Sequence, residues 1–79
     1  MITLKERLAG WHDWDVAEHN LAVCLGLMQD GYEAFQAAKY VFWTNHPIGE
    51  ALYQMLVELA KVGVLEHDQE GSRFRWNQD

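Results

Sequence analysis

The residues best suited to chemistry are two histidines and nearby carboxylates in the first third of the chain. His12, Asp15 and His19 lie three and four residues apart, so a helix that begins early would place them on one face, and Glu18 is adjacent. Imidazole nitrogens and carboxylate oxygens of this kind suit Zn²⁺ or another divalent cation. The same acids are equally what a helix N-terminus favours, and His12 can lie in a loop. We therefore predict no metal and no cofactor, with the divalent cation as the lesser alternative.

Other catalytic groups are scarce. Cys24 falls on the apolar face of a predicted central helix, which indicates a buried thiol and not a nucleophile. The chain has no glycine-rich phosphate loop and no nucleophile motif. A length of 79 residues also leaves little room for a substrate pocket. We therefore expect a protein that is not an enzyme and has no small-molecule substrate.

The elements that must position any site are organised around the segment from Asn45 to Trp76. Pro47 suits the first position of a helix, and Gly63 suits the position just after its C-terminal end. Between them, apolar residues recur at spacings of four and three, which predicts one buried helical stripe. Its members are Ile48, Leu52, Met55, Leu59 and Val62, widened by Ala51, Leu56 and Ala60.

A β-hairpin follows this helix in the sequence. Residues 64–68 and 73–77 alternate as half-buried strands do, with Gly71 in the turn. Opposite charges directly across the ladder favour one register by up to ~1 kcal/mol per pair. The predicted pairs are Leu65–Trp76 and His67–Phe74 on the core face, and Glu66–Arg75 and Asp68–Arg73 on the outer face. His67 is accordingly expected to pack in the core and not to act as a base.

Three helices are predicted before this segment. A T-x-x-E capping box at Thr3 and Glu6 indicates a short helix within residues 1–9. A second helix runs from about Val16 to Gln29, and a third spans residues 32–43. The predicted fold is a single small domain, residues 1–79, of α+β class and mostly α. The apolar face of the second helix consists of Ala17, Leu21, Cys24, Leu25 and Met28, extended by Val23 and Leu27.

Composition limits the class of protein. Cys24 is the one cysteine, so no internal disulfide can form. The chain shows no signal-like N-terminus and no apolar run near the ~18 residues of a membrane span, so we expect a cytoplasmic protein without membrane contact. The net charge of −6 is evenly spread, with six acids and three bases in each of residues 1–43 and 44–79. There is no basic half and no basic stripe.

The order of elements resembles a winged-helix (winged helix-turn-helix) domain over residues 16–77. A helix, a short turn and a second helix ending in L-x-x-L-x-x-x-G-x-L-E precede the hairpin. The resemblance implies that Ile48–Val62 is the recognition helix and Glu66–Arg75 the wing. The chain departs from this pattern because the connection between the second and third helices is too short for the extra strand that many winged helices have there, so either the sheet has two strands or Met1–Thr3 supplies a third. The fold serves both DNA regulators and protein-interaction modules, so function stays open. The motif residues are Leu56, Leu59, Gly63, Leu65 and Glu66, with Phe74 and Trp76 on the returning strand.

The predicted binding surface is the outward face of that helix together with the wing. A firm DNA-binding protein neutralises roughly 6–10 phosphates, whereas this chain has six scattered basic residues in total. Glu50 and Glu58 would meet phosphate unfavourably. We therefore expect contact with a protein partner or a second copy; a DNA-binding transcriptional regulator using the same surface is the alternative. The predicted contact residues are Glu50, Tyr53, Gln54, Val57, Glu58, Lys61, Arg73 and Arg75, and Trp11 and Trp14 are further interface candidates.

Overall fold

The computed structural model describes residues 3–42 and 47–78, and leaves the side chains of residues 38–42, 47 and 48 undescribed. The predicted core position of Ile48 falls outside this description. The described residues form an α+β fold that is mostly α, with four helices before a C-terminal strand pair, as predicted. The elements are α1 (Leu4–Arg7), β1 (His12–Asp13), α2 (Trp14–Cys24), α3 (Tyr32–Phe42), α4 (Pro47–Lys61), β2 (Leu65–Asp68) and β3 (Arg73–Trp76).

The ends of the helices follow local chemistry. The Thr3 hydroxyl accepts a hydrogen bond from the Glu6 backbone N–H, which confirms the predicted cap of α1. The helix α2 ends five residues earlier than predicted because Gly26 takes a positive φ of 76°. The Leu27 N–H then bonds the Ala22 carbonyl at 2.9 Å, closing a Schellman motif. Gly63 ends α4 in the same way, with a φ of 91°.

The sheet has three antiparallel strands in the order β1-β3-β2. The β2–β3 register matches all four predicted pairs, including His67 with Phe74. The third strand is a correction: it comes from His12–Asp13, which pairs with Phe74 and Arg73. The prediction offered two strands or a strand at residues 1–3, but Thr3 caps α1 instead.

The core lies between the sheet and helices α2 and α4. Its buried apolar residues come from α2, α4, both hairpin strands and the residue that directly follows α1. The chain closes on itself because the Trp76 N–H donates to the Leu8 carbonyl at 2.8 Å. Among the described residues, no helix is both long enough and apolar enough to span a membrane. The core residues are Leu8, Ala17, Leu21, Ala22, Leu52, Leu56, Leu65 and Phe74.

Candidate interaction surface

The site depends on which face of α4 the core covers. Leu52 and Leu56 are buried, and Tyr53 and Val57 pack partly buried against the core. This buried stripe is turned by about one residue from the predicted one, since neighbouring residues of a helix point about 100° apart. The outward face of α4 therefore differs from the prediction in its apolar members.

Tyr53 and Val57 are the predicted contact residues that are partly buried against the core. The Tyr53 ring lies edge-on to Trp14, with centroids 6.4 Å apart, and edge-on to Phe74 at 5.9 Å. These contacts make Tyr53 a link between α2, α4 and β3.

Apolar residues that were predicted to be buried take their place on the surface. Met55 is 41% exposed and Val62 is 72% exposed. Ala51 is exposed one turn before Met55. The sequence analysis placed all three in the core, and the structure contradicts it. We call Ala51 and Met55, together with Val62, which directly follows the last residue of α4, the apolar stripe of α4.

A polar row lies beside the apolar stripe. Glu50, Gln54, Glu58 and Lys61 are all exposed, as predicted. The Lys61 ammonium lies 3.3 Å from the Glu58 carboxylate, one turn away on the same helix. An exposed pair of this kind stabilises the helix little, but it neutralises the cation of α4 that a phosphate would contact.

Both wing arginines are paired on the outer face of the sheet. Arg73 donates to Asp68 at 2.8 Å, and this hydrogen bond is the main reason that the pKa of Asp68 lies below its usual value. Arg75 is paired with Glu66. The ring of Trp11 lies 4.6 Å from the Arg75 guanidinium carbon, within cation–π range. Trp11 therefore packs on the wing of its own chain, although 40% of it stays exposed.

The two histidines of the suspected metal site do not converge. His12 Nδ1 lies 2.9 Å from the Gly10 carbonyl oxygen. His19 is only 6% exposed, and its Nδ1 lies 3.0 Å from Met28 Sδ. Asp15 instead accepts a bond from the Val16 N–H. Across residues 3–42 and 47–78, no group of three or more His, Cys, Asp or Glu side chains could hold a metal ion.

A cluster of polar side chains around Arg7 of α1 was not predicted. Arg7 binds Asp30 through two hydrogen bonds of 2.7 and 2.9 Å, and it also donates to Asn20 at 2.7 Å. The hydrogen bond with Arg7 lowers the pKa of Asp30 to about 2. His19 Nε2 lies 3.6 Å from the same Asp30 carboxylate, but burial outweighs this attraction and lowers the pKa of His19. The signal was present in the sequence as His19-Asn20 inside an apolar helix pattern, where buried polar groups need partners.

Two further groups complete the search for chemistry. Cys24 is exposed, which corrects the prediction of a buried thiol, since α2 ends at this residue. His67 stacks on Phe74 with ring centroids 4.2 Å apart, which confirms that it faces the core. An open cavity of about 350 Å³ beside Lys5 and Trp76 has no nucleophile and no acid in its lining. None of these groups assembles a catalytic arrangement.

Comparison with known proteins adds no relative. Neither the family models, nor the curated proteins, nor the solved structures contain a match for this chain. The function must therefore be argued from the surface of the molecule itself.

Proposed function

We propose that the protein is a non-enzymatic binding module, winged-helix-like in its arrangement, that contacts another protein surface through α4 and the hairpin. The observation that carries the proposal is the apolar stripe of α4. Met55 and Val62 leave a large part of their side chains in water, although the core has Leu52 and Leu56 on the same helix. Exposed apolar residues clustered on one element, with polar residues around them, are typical of interaction sites.

The core of the isolated chain does not bury the apolar stripe. Burying a Val or Met side chain contributes roughly 1.5–3 kcal/mol, so a helix that leaves two such groups exposed forgoes stabilisation in the isolated chain. A partner that covers Met55 and Val62 recovers it. The lone cysteine, which suits a reducing compartment, agrees with a cytoplasmic site of action.

The charges of the same surface argue against a DNA regulator. Arg73, Arg75 and Lys61 are the described basic residues of α4 and the hairpin, and each has a carboxylate partner. Glu50 lies at the start of α4, where a phosphate would otherwise meet the positive end of the helix dipole. A phosphate would therefore compete with a carboxylate for each of these cations, and the same carboxylates would repel it.

A titration against duplex DNA tests this proposal. Fluorescence anisotropy of a labelled mixed-sequence duplex should stay unchanged in ~50 mM salt up to protein concentrations on the order of 100 µM, because phosphate binding needs unpaired cations. Micromolar binding with a steep salt slope would overturn the proposal in favour of a DNA regulator. The double variant Glu66→Gln with Asp68→Asn, which frees both wing arginines, is the matched positive comparison and should bind more tightly than the parent chain.

A further inference from the structure

The connection between α2 and α3 lies against the cluster of polar side chains around Arg7. We call residues 26–31 of this connection the strap. Gly26 and Gly31 bound the strap, and both take a positive φ, of 76° and 126°. Glycine changes backbone region at little cost, so both ends of the strap can act as hinges. All residues of the strap are exposed except Met28, which packs partly buried against the core.

Side chains hold the middle of the strap to α1 and α2. Asp30 accepts two hydrogen bonds from Arg7 of α1. The Met28 sulfur lies 3.0 Å from Nδ1 of His19 in α2, and Nε2 of the same ring lies 3.6 Å from Asp30 Oδ1. His19 therefore lies beneath both attachments. The strap and Phe35 of α3 cover the ring, so that only 6% of His19 is exposed.

The surroundings of His19 suit a neutral ring. Among the described residues, Arg7 of α1 and Asp30 of the strap supply the charges that act on it. The helix α3 contributes the uncharged ring of Phe35, edge-on at 5.3 Å between centroids, and Glu18 of α2 points about 100° away around the helix. Both oxygens of Asp30 are already bonded to Arg7. A proton on His19 would place two cations beside one carboxylate where little water reaches, which is unfavourable.

We propose that protonation of His19 opens the strap. In the open form residues 26–31 rotate about their two glycines, Asp30 separates from Arg7, and water hydrates the imidazolium. The rest of the fold stays intact, because Leu21 and Ala22 of α2 belong to the core that α4 and the sheet share. An exposed segment held by few contacts opens at a smaller cost in free energy than the whole domain unfolds. Opening uncovers Met28 and the flank of α2 that carries His19.

The strap should open in mild acid. Burial and the charge of Arg7 together lower the pKa of His19 below its ordinary value of 6.5, despite the attraction of Asp30. The closed strap is therefore favoured above pH 6.5, and this preference is lost as pH falls through the lowered pKa. The pKa of Asp30 is about 2, so Asp30 keeps its charge in this range. Opening of the strap thus precedes the loss of the Asp30 charge.

NMR of the full chain with ¹³C-labelled methionine methyl groups tests the proposal. The Met28 methyl is bonded to the sulfur that contacts His19, and Met55, which is 41% exposed on α4, is the internal reference. From about pH 7.5 to about pH 5 the Met28 signal should move toward that of free methionine and gain fast motion, while Met55 and the helical dichroism stay unchanged. A Met28 signal that stays in place, shifts without added motion, or changes only as the helices unfold overturns the proposal.

Variants assign the opening to His19. His19→Phe keeps an aromatic ring against Phe35 but cannot gain a proton, so its Met28 signal should stay in the closed position at about pH 5. His19→Gln is a second uncharged variant in case the first does not fold. His12→Gln is the matched control, since His12 lies in β1 away from the strap, and it should respond to acid as the parent chain does. An acid response that persists in the folded His19 variant, or disappears in His12→Gln, contradicts the assignment.

Discussion

Arg7 joins three separate parts of the chain through one guanidinium group. It binds Asp30, which precedes α3, and Asn20, which lies in the middle of α2. The Asn20 amide in turn donates to the Arg7 carbonyl at 3.0 Å. The cluster satisfies polar groups that would otherwise be buried without partners. It also couples the stability of the fold to pH.

Acid should destabilise the protein in two stages. Burial lowers the pKa of His19 in the folded chain below its ordinary value of 6.5, so His19 contributes stability that is present above pH 6.5 and is lost as pH falls through the lowered pKa. The pKa of Asp30 falls from 3.8 to about 2, so its contribution is present above pH 3.8 and disappears as pH falls toward 2. Urea midpoints measured from pH 7 to pH 2.5 would show both stages.

Variants assign these stages to their residues. Asp30→Asn should lower the urea midpoint at pH 7 and flatten the profile below pH 3.8, since it removes the charged partner of Arg7. Glu70→Gln is the control because Glu70 is an exposed carboxyl in the hairpin turn. An unchanged low-pH slope in Asp30→Asn would mean that another carboxyl, such as Asp68, determines the acid response.

Contacts between individual side chains could be predicted across the ladder of β2 and β3, but not in the rest of the chain. Glu66–Arg75 and Asp68–Arg73 follow from alternation and charge across a short hairpin. Arg7 and Asp30 are 23 residues apart, and no local pattern links them. Their pairing depends on how α1 packs against α2. No periodic pattern in a single sequence predicts that packing.

At the scale of elements, the main difference between the predicted and the observed structure is the rotation of α4 about its own axis, which determines which of its faces is buried. Apolar residues cover more than half of this helix, so two neighbouring stripes are equally consistent with a buried face. The contact with Phe74 determines which of the two stripes is buried, because the hairpin covers the side of α4 that carries Tyr53. Periodicity measures how apolar a face is, but it contains no information about where the next element packs.

Variants of two adjacent residues test this rotation of α4. Leu56→Ala should cost about 2–5 kcal/mol of unfolding free energy because it opens a cavity in the core. Met55→Ala should cost less than about 1 kcal/mol because Met55 is largely in water. Urea denaturation would measure both. Equal costs for the two variants would contradict the described orientation of α4.

The strand β1 was missed for a different reason. It has two residues, and a two-residue strand is too short to show alternation. Its role is nevertheless clear in the structure, since it places Trp11 beside Arg75 on the outer face of the sheet. The sequence made Trp11 and Trp14 interface candidates, and in the structure Trp11 also packs on Arg75 and Trp14 on Tyr53 of the same chain.

The whole molecule is closed by contacts between its first and last elements. Leu8, which directly follows α1, lies in the core and accepts a hydrogen bond from the N–H of Trp76 in β3. Because α2, α4 and the sheet share this core, no part of the described chain has a separate core of its own. The length and composition of the sequence could not show which of its elements would meet.

Unfolding should therefore be one cooperative transition. Three of the four tryptophans, Trp11, Trp14 and Trp76, lie in or beside the strands β1 and β3, so fluorescence reports mainly on the sheet, whereas far-ultraviolet circular dichroism reports mostly on the helices. The two probes should give coincident urea curves, because small domains with one core unfold in an all-or-none manner. A fluorescence midpoint clearly below the dichroism midpoint would indicate that the sheet separates from the helices first.

The strand order has a consequence for how the chain acquires its structure during synthesis. The strand β3 lies between β1 and β2, so every strand pairing in the sheet uses residues 73–76. A nascent chain that has left the ribosome only as far as residue 72 has two strands and no ladder to join them. Its helices can form locally, but the sheet and the burial of Leu65 must wait for Phe74. Folding of this domain is thus completed only after β3 has emerged from the exit tunnel.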